Sequence, residues 1–464
     1  MNGFTADMQG NVYMKKEKLI RLCCALMAAV MLAGCTEGTA AKDNEETTAS
    51  TSQSVTEEVT SADITDETAP ATESQTEEDT EDMTEKDSYQ IMIERSLMSS
   101  GNSFRMKKAI NKARNGEPVT LAYLGGSITE GAGASNELCY ATRSYESFKE
   151  MFGKDGGDNV KMVNAGMGGT ASSLGVIRYK RDVLDKAPTA PDIVFIEFAV
   201  NDYQEATQGK AYESLIREIL SADNEPAVVL VFSVFKSRWN MQNEYKGLGK
   251  IYKLPMVSVL DAVVPALDTD KILTDEEYFS DEYHPTEYGH QIMSDCISYM
   301  FEQADRADDS EDSSMPEKTY YGDDYCGIKM LDSKTSYDGV KVDAGSFTSV
   351  DKALAVVQYN RESNIFPDNW MHESGSEPFR IEAKCKNMLF VYKETKSDEF
   401  GSAEIYVDGE LVQTVSGKTG GGWNNSVTIR LFADETAADH TIEVKMKQGD
   451  EDKKFSILAV GYTE

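Results

Sequence analysis

Leu121-Ala122-Tyr123-Leu124-Gly125-Gly126-Ser127-Ile128-Thr129, running on into Glu130-Gly131-Ala132-Gly133, is an apolar segment that stops at two glycines and a serine. Such a run ending in Gly-Gly predicts a buried strand whose chain then turns sharply, with no Cβ to obstruct close approach. Ser127 would sit at that turn, on the carboxyl edge of a sheet, where open α/β sheets bind their ligands. A Gly-Gly-Ser turn alone is usually only a loop. The pattern on either side gives this one its meaning.

From about Ser88 to Arg306, apolar strands alternate with amphipathic helices, which predicts a parallel sheet covered by helices on both faces. A helical stretch, Tyr140 to Phe152, precedes the strand Val160 to Ala165, which runs into Gly166-Met167-Gly168-Gly169-Thr170. A helix from roughly Ser173 to Lys186 leads to Pro191 and the strand Asp192 to Val200, which ends at Asn201-Asp202. A helix from about Ala211 to Leu220, a strand from Ala227 to Phe235 and a short strand from Met256 to Leu260 complete the series. Three strand ends thus carry Ser127, the Gly168-Gly169 turn and Asn201. Well downstream lies Asp281-Glu282-Tyr283-His284-Pro285. A carboxylate three residues before a histidine can share one side of a turn with it, accept its Nδ1 proton and leave Nε2 outward as a base.

Ester cleavage asks for this set of groups: a serine activated by a base, a base held in one tautomer, and fixed donors aimed at the developing oxyanion. Each residue also has a plainer reading. Asn201-Asp202 can be turn chemistry after a strand, and His284 a helix-entry histidine. Of the four histidines, His290 falls inside the next helix, and His372 and His440 belong to another region. Glu197 interrupts an apolar strand and reads as a hydrogen-bonded structural acid rather than a second catalytic carboxylate.

In order and spacing, Gly125-Gly126-Ser127-Ile128-Thr129, Asn164-Ala165-Gly166-Met167-Gly168-Gly169, Asn201-Asp202 and Asp281-x-x-His284-Pro285 resemble the four sequence blocks of the SGNH (GDSL-like) hydrolases. The resemblance covers about Val119 to Phe301. It implies a flavodoxin-like, three-layer α/β/α fold with a parallel sheet. It also implies a Ser127-His284-Asp281 triad and an oxyanion hole built from the backbone N–H groups of Ser127 and Gly169 and the side-chain amide of Asn201. Gly168 beside Gly169 leaves that assignment open by one residue. Two positions depart from the family pattern: Gly126 stands where aspartate is usual, and Ala199 where glycine is usual. The Ala199 methyl is expected to narrow the pocket beside Asn201 and favour a small acyl group.

The chain begins with features that lie outside any fold. Lys15, Lys16, Lys18 and Arg21 precede a short apolar stretch, Leu22 to Leu32, that ends in Leu32-Ala33-Gly34-Cys35. The stretch is too short to span a bilayer. Residues 1–35 resemble a bacterial lipoprotein signal in which Cys35 is the lipidated first residue of the mature protein, with Met14 as the expected start. Residues 36–87 hold 17 acidic and 2 basic side chains, a net of −15 out of −34 for the whole chain, and almost no large apolar groups. They read as a disordered stalk, reaching ~40 Å or more as a coil. The acidity argues against nucleic acid as a partner. The expected location is therefore extracytoplasmic, tethered to the membrane through Cys35.

Four cysteines remain, Cys139, Cys296, Cys326 and Cys385. A Cys326–Cys385 bridge and four separate thiols are both open, and no zinc-type ligand cluster or other cofactor motif is visible.

Residues 88–306 are expected to form the hydrolase domain, 307–318 an acidic linker, and 319–464 a second domain. There, short alternating strands such as Phe379 to Ala383, Met388 to Tyr392, Ala403 to Val407, Val427 to Phe432, His440 to Val444 and Phe455 to Val460 predict an antiparallel β-sandwich, jelly-roll-like in architecture. Trp370 and Trp423 are candidates for stacking on sugar rings, or equally for core packing. The reading that unites these features is a surface-anchored serine esterase removing small acyl groups from a polysaccharide or oligosaccharide. A lysophospholipase or thioesterase, and a non-catalytic surface binder, are the rivals.

Overall fold

The computed structural model describes residues 78–354 and 365–464. The signal-like segment, Cys35 and the stalk up to residue 77 lie outside the described residues, while a helix, Glu78–Arg95, already begins within the stretch read as stalk. Thr84–Glu464 forms one compact unit. Among the described residues, no helix is long and apolar enough to cross a membrane.

The first half contains a six-stranded sheet in the order β1 (Leu97–Ser99), β6 (Met256–Ser258), β5 (Ala227–Phe232), β4 (Ile193–Glu197), β2 (Val119–Gly125), β3 (Val160–Gly166). All neighbours are parallel except β1, which joins β6 antiparallel at one edge. Because side chains alternate along a strand, each strand feeds two cores. Leu121, Tyr123 and Phe195 pack with helices Phe104–Asn115, Tyr140–Phe152 and Glu287–Arg306 on one face. On the other, Ala122, Leu124 and Ile196 pack with helices Ser172–Tyr179, Lys210–Leu220 and Gln242–Ile251. This is the three-layer α/β arrangement expected.

The second half is an antiparallel sheet in the order β12 (Glu410–Ser416), β11 (Ser402–Val407), β13 (Asn425–Met446), β10 (Phe379–Glu394), β14 (Phe455–Thr463), β7 (Lys329–Leu331), with β8 (Lys341–Asp343) on β10 and β9 (Trp370–His372) on β14. Two pairs of predicted strands are each one strand. Phe379 to Ala383 and Met388 to Tyr392 both belong to β10, and Val427 to Phe432 and His440 to Val444 both belong to β13. The polar stretches between them are irregularities in register rather than turns.

The shift near Cys385 has a structural effect. Before it, the odd-numbered Phe379, Ile381, Ala383 and Cys385 face the β-domain core; after it, the even-numbered Met388, Phe390 and Tyr392 do so. Slipping by one residue turns Leu389 and Val391 to the opposite face. There, with Leu458 and Ala459 of β14, they join the same apolar cluster as Ile177, Leu174 and Phe198 of the α/β half. A Cβ on Gly461 of β14 would lie 2.6 Å from Ile177.

The acidic segment 307–318 is irregular but held in place: Asp312 pairs with Arg105 at 2.9 Å and Asp309 with Lys107 at 2.8 Å. Just beyond it, the buried Glu213 carboxylate accepts N–H bonds from Tyr320, Tyr321 and Gly322, fastening the entry to the β half. All four cysteines of the described residues are free thiols. Trp370 is buried against Phe379, with ring centroids 5.0 Å apart.

Valine at Gly461 should wedge the β half away from the helix Ser172–Tyr179. Overpacking of this kind costs about 1–3 kcal/mol, so Gly461→Val should lower the denaturation midpoint measurably, whereas valine at the open Gly420 should leave it nearly unchanged.

Candidate active site

The carboxyl ends of β2, β3 and β4 converge so closely that side chains are excluded. A Cβ on Gly125 would come within 2.1 Å of Thr129 Oγ1 and 2.6 Å of the Glu197 carbonyl; one on Gly166 would come within 2.1 Å of the Glu130 backbone nitrogen. A fully buried arginine, Arg178, ties these ends together. Its guanidinium donates to the carbonyls of Gly125, at 3.0 Å, and of Ala165. Asp182 lies beside it; burial alone would raise this carboxyl, but the Arg181 and Arg178 charges outweigh that and hold it well below the usual range. Arg178 was not anticipated from sequence. The only trace of it is an arginine in an otherwise apolar stretch, Leu174-Gly175-Val176-Ile177.

From this base the chain turns at Gly126 and presents Ser127 as the first residue of a four-residue helix, Ser127–Glu130. The structure brings Ser127 together with the neighbouring Asp281 and His284 from far downstream in the sequence. Ser127 Oγ lies 2.9 Å from His284 Nε2, and His284 Nδ1 lies 2.8 Å from Asp281 Oδ2. Asp281 Oδ1 also accepts the N–H groups of Tyr283 at 2.7 Å and His284 at 2.8 Å, so the same carboxylate shapes the loop and orients the ring. Partial burial favours a neutral Asp281, but the bonds from the His284 ring and these amides prevail and keep its pKa below the ordinary value. The carboxylate is therefore ionised at neutral pH. It requires a proton on Nδ1 and leaves Nε2 able to accept one from Ser127.

His290, by contrast, is committed to structure. Its Nδ1 accepts from the Tyr140 amide at 3.1 Å, its Nε2 donates to the Ala132 carbonyl at 2.9 Å, and burial pulls its pKa down to about 4.

The Gly168/Gly169 ambiguity narrows on geometry. The Gly168 N–H is bonded to the buried Glu130 carboxylate at 2.7 Å, while Gly169, at φ +66°, follows in the turn. Glu130 sits at the end of the helix Ser127–Glu130 and so couples that helix to the glycine turn.

Asn201 rests directly on Gly126: a Cβ there would fall 2.2 Å from Asn201 Oδ1. In this chain the glycine leaves the room that the Asn201 side chain occupies. The departure at Ala199 has a different consequence from the one expected. Ala199 is fully buried in the apolar core, and its methyl does not narrow the cleft.

Two buried acids support the floor. Glu197 accepts from Thr129 Oγ1 at 3.0 Å and from Ser233, and Asp202 accepts from the Ser172 amide at 2.7 Å and the Tyr245 hydroxyl at 2.8 Å. Burial, in Asp202 reinforced by Glu205, raises both carboxyls to about 7, against hydrogen bonds that pull the other way. The native state therefore holds these protons more tightly than the unfolded chain.

Gly126→Ala should displace the Asn201 amide and, as for loss of one oxyanion donor, cut kcat about 10²–10³-fold with little change in KM, measured on a p-nitrophenyl ester. Because the folded pKa values of Glu197 and Asp202 lie above their unfolded ones, stability should fall as pH rises from about 4 to about 7. Glu197→Gln should flatten that slope in a melting-temperature profile against pH.

Residues 123–292 match the family described as GDSL-like Lipase/Acylhydrolase. No curated protein matches the chain at a significant level. Among solved structures, the chain is similar to a two-domain esterase (CEX) active on acetylated mannans, with TM-score 0.69 and 26% identity over 80% of this chain and 98% of that one. The same esterase co-crystallized with mannopentaose aligns with TM-score 0.67, again at 26% identity and the same coverage. Ser127 at its strand end, the paired His284 and Asp281 and these similarities agree: over residues 123–292 the α/β half is similar to the GDSL-like lipase/acylhydrolase family, and the chain is an ester-bond hydrolase.

Proposed function

We propose that this hydrolase removes acetyl groups from an acylated polysaccharide or oligosaccharide through a Ser127 acyl-enzyme. His284 Nε2 takes the Ser127 proton as Oγ attacks the ester carbonyl. The oxyanion is received by the N–H groups of Ser127 and Gly169 and by the Asn201 amide. Collapse releases the sugar hydroxyl, protonated by His284, and water activated by the same base then frees acetate.

The observation that carries the carbohydrate assignment is the position of Trp423. It stands on the β half, before β13, yet a Cβ on Gly169 would touch its indole ring at 2.7 Å. A partly exposed tryptophan beside the oxyanion turn offers a flat apolar face to a sugar ring. Beside it a cleft is lined from the α/β half by Gly169, Asn201 and Gln204 and from the β half by Gln413, Asn425 and Arg430. This lining is polar where a lysophospholipase or long-chain thioesterase would present an apolar groove. The mannan esterase to which the chain is similar has two domains as well.

The test measures acetate release from acetylated manno-oligosaccharides and acetylated xylan, alongside p-nitrophenyl acetate and octanoate, for the fragment from residue 78 onward and its Ser127→Ala variant. Acetyl-selective release from at least one glycan, lost by 10³-fold or more on substitution, is expected. Preference for octanoate with inert glycans would favour the lipid reading.

The proposed location follows from the sequence alone: lipid on Cys35 holds the enzyme outside the cell membrane. Cys35→Ala should move the full-length protein from the membrane fraction to the medium.

A further inference from the structure

We infer that Tyr203 and Trp239 form a second sugar-binding platform, a subsite for glycan residues flanking the acylated one. The inference rests on the carbohydrate reading above and extends it from the ester to the chain that bears it.

Tyr203 lies two residues beyond Asn201, and 42% of its surface is exposed at the mouth of the shared cleft. Trp239 meets it edge-to-face, with centroids 5.8 Å apart and planes at 88°. Behind Trp239 comes Phe235 at 6.0 Å, then Tyr283 at 5.2 Å from Phe235, and Tyr283 in turn contacts the His284 ring at 6.2 Å. A chain of ring contacts therefore runs from Tyr203, two residues beyond Asn201, to the His284 ring. None of these four rings is needed for the proton transfers described above.

The row is rigid. The Phe235 amide donates to the Trp239 carbonyl at 3.2 Å, closing a tight turn, and Lys236 donates to Glu282 at 3.2 Å, tying that turn to the His284 loop. Arg238, within the turn, pairs with Asp268 and Asp275. A platform fixed before binding loses little conformational entropy when a ligand arrives.

Its chemistry favours pyranose rings over other occupants. Aromatic faces beside polar groups suit a ligand with one apolar face and a hydroxyl rim, and Gln204, Gln413 and Asn425 of the same cleft supply donors and acceptors for hydroxyls. A fatty acyl chain would gain nothing from those amides and would require them to be desolvated.

The decisive quantity is the ratio of kcat/KM on acetylated manno-oligosaccharides, from two to six sugars, to kcat/KM on p-nitrophenyl acetate. In the wild type this ratio should climb with chain length. Trp239→Ala and Tyr203→Ala should each depress it by about tenfold for the longer substrates, mostly through KM, and Tyr203→Phe, which keeps the ring, should retain it. Tyr203 is exposed, so its alanine variant provides the reading should Trp239→Ala fold poorly. A wild-type ratio that does not depend on length, or variants that lower both rates in step, would overturn the platform and leave the acetyl-esterase reading standing. If p-nitrophenyl acetate is cleaved and every acetylated glycan is inert, the carbohydrate reading itself fails, and the platform with it.

Discussion

The site depends on the absence of Cβ atoms where three strand ends meet. Gly125, Gly126 and Gly166 allow β2, β3, Glu197 and Asn201 to approach to distances no other residue tolerates, and Arg178 holds the resulting knot by its carbonyls. Ser127, the glycine turn and Asn201 stand on that knot. The serine leaves it on a one-turn helix, the glycine turn is tethered to that helix through Glu130, and the asparagine lies across Gly126. Such close packing leaves the proposed oxyanion donors few alternative positions, the preorganisation that such donors need.

Substrate recognition is distributed differently from chemistry. All the groups proposed to move protons or hold the oxyanion belong to the α/β half, while the cleft next to them is completed by Trp423, Gln413, Asn425 and Arg430 of the β half. Conserving the reactive core and varying the wall allows one hydrolytic device to address different acylated surfaces.

Much of this could be read from the sequence because the relevant signals are local. A strand ending in Gly-Gly-Ser, another ending in Asn-Asp, and a carboxylate three residues before His284 each carry their geometry in a few neighbouring residues. Glu130 and Arg178 escaped because their partners, the Gly168 amide and the Gly125 and Ala165 carbonyls, are backbone groups that no side-chain pattern advertises. Ala199 misled for a related reason: a family position says what is usual there, not whether its methyl faces the cleft or the core. In the β half, the polar residues near 386 and 434–439 imitate turns, yet the ladder accommodates them as bulges within β10 and β13. Sequence likewise could not decide between Trp370 and Trp423. One tryptophan is core and the other reaches the site, because only the tertiary fold brings the loop after β12 onto Gly169.

The slip in register within β10 has a consequence for how the molecule holds together and how it can evolve. By turning Leu389 and Val391 out of one core and into the other, it makes a single hydrophobic interior continue from the helix Ser172–Tyr179 into the β-sheet. Severing the chain near residue 318 would bare that interior to water, leaving a sticky surface on each fragment. The two halves should consequently melt in one cooperative event and be inherited as a pair, in contrast to binding modules strung on flexible tethers, which genomes shuffle freely.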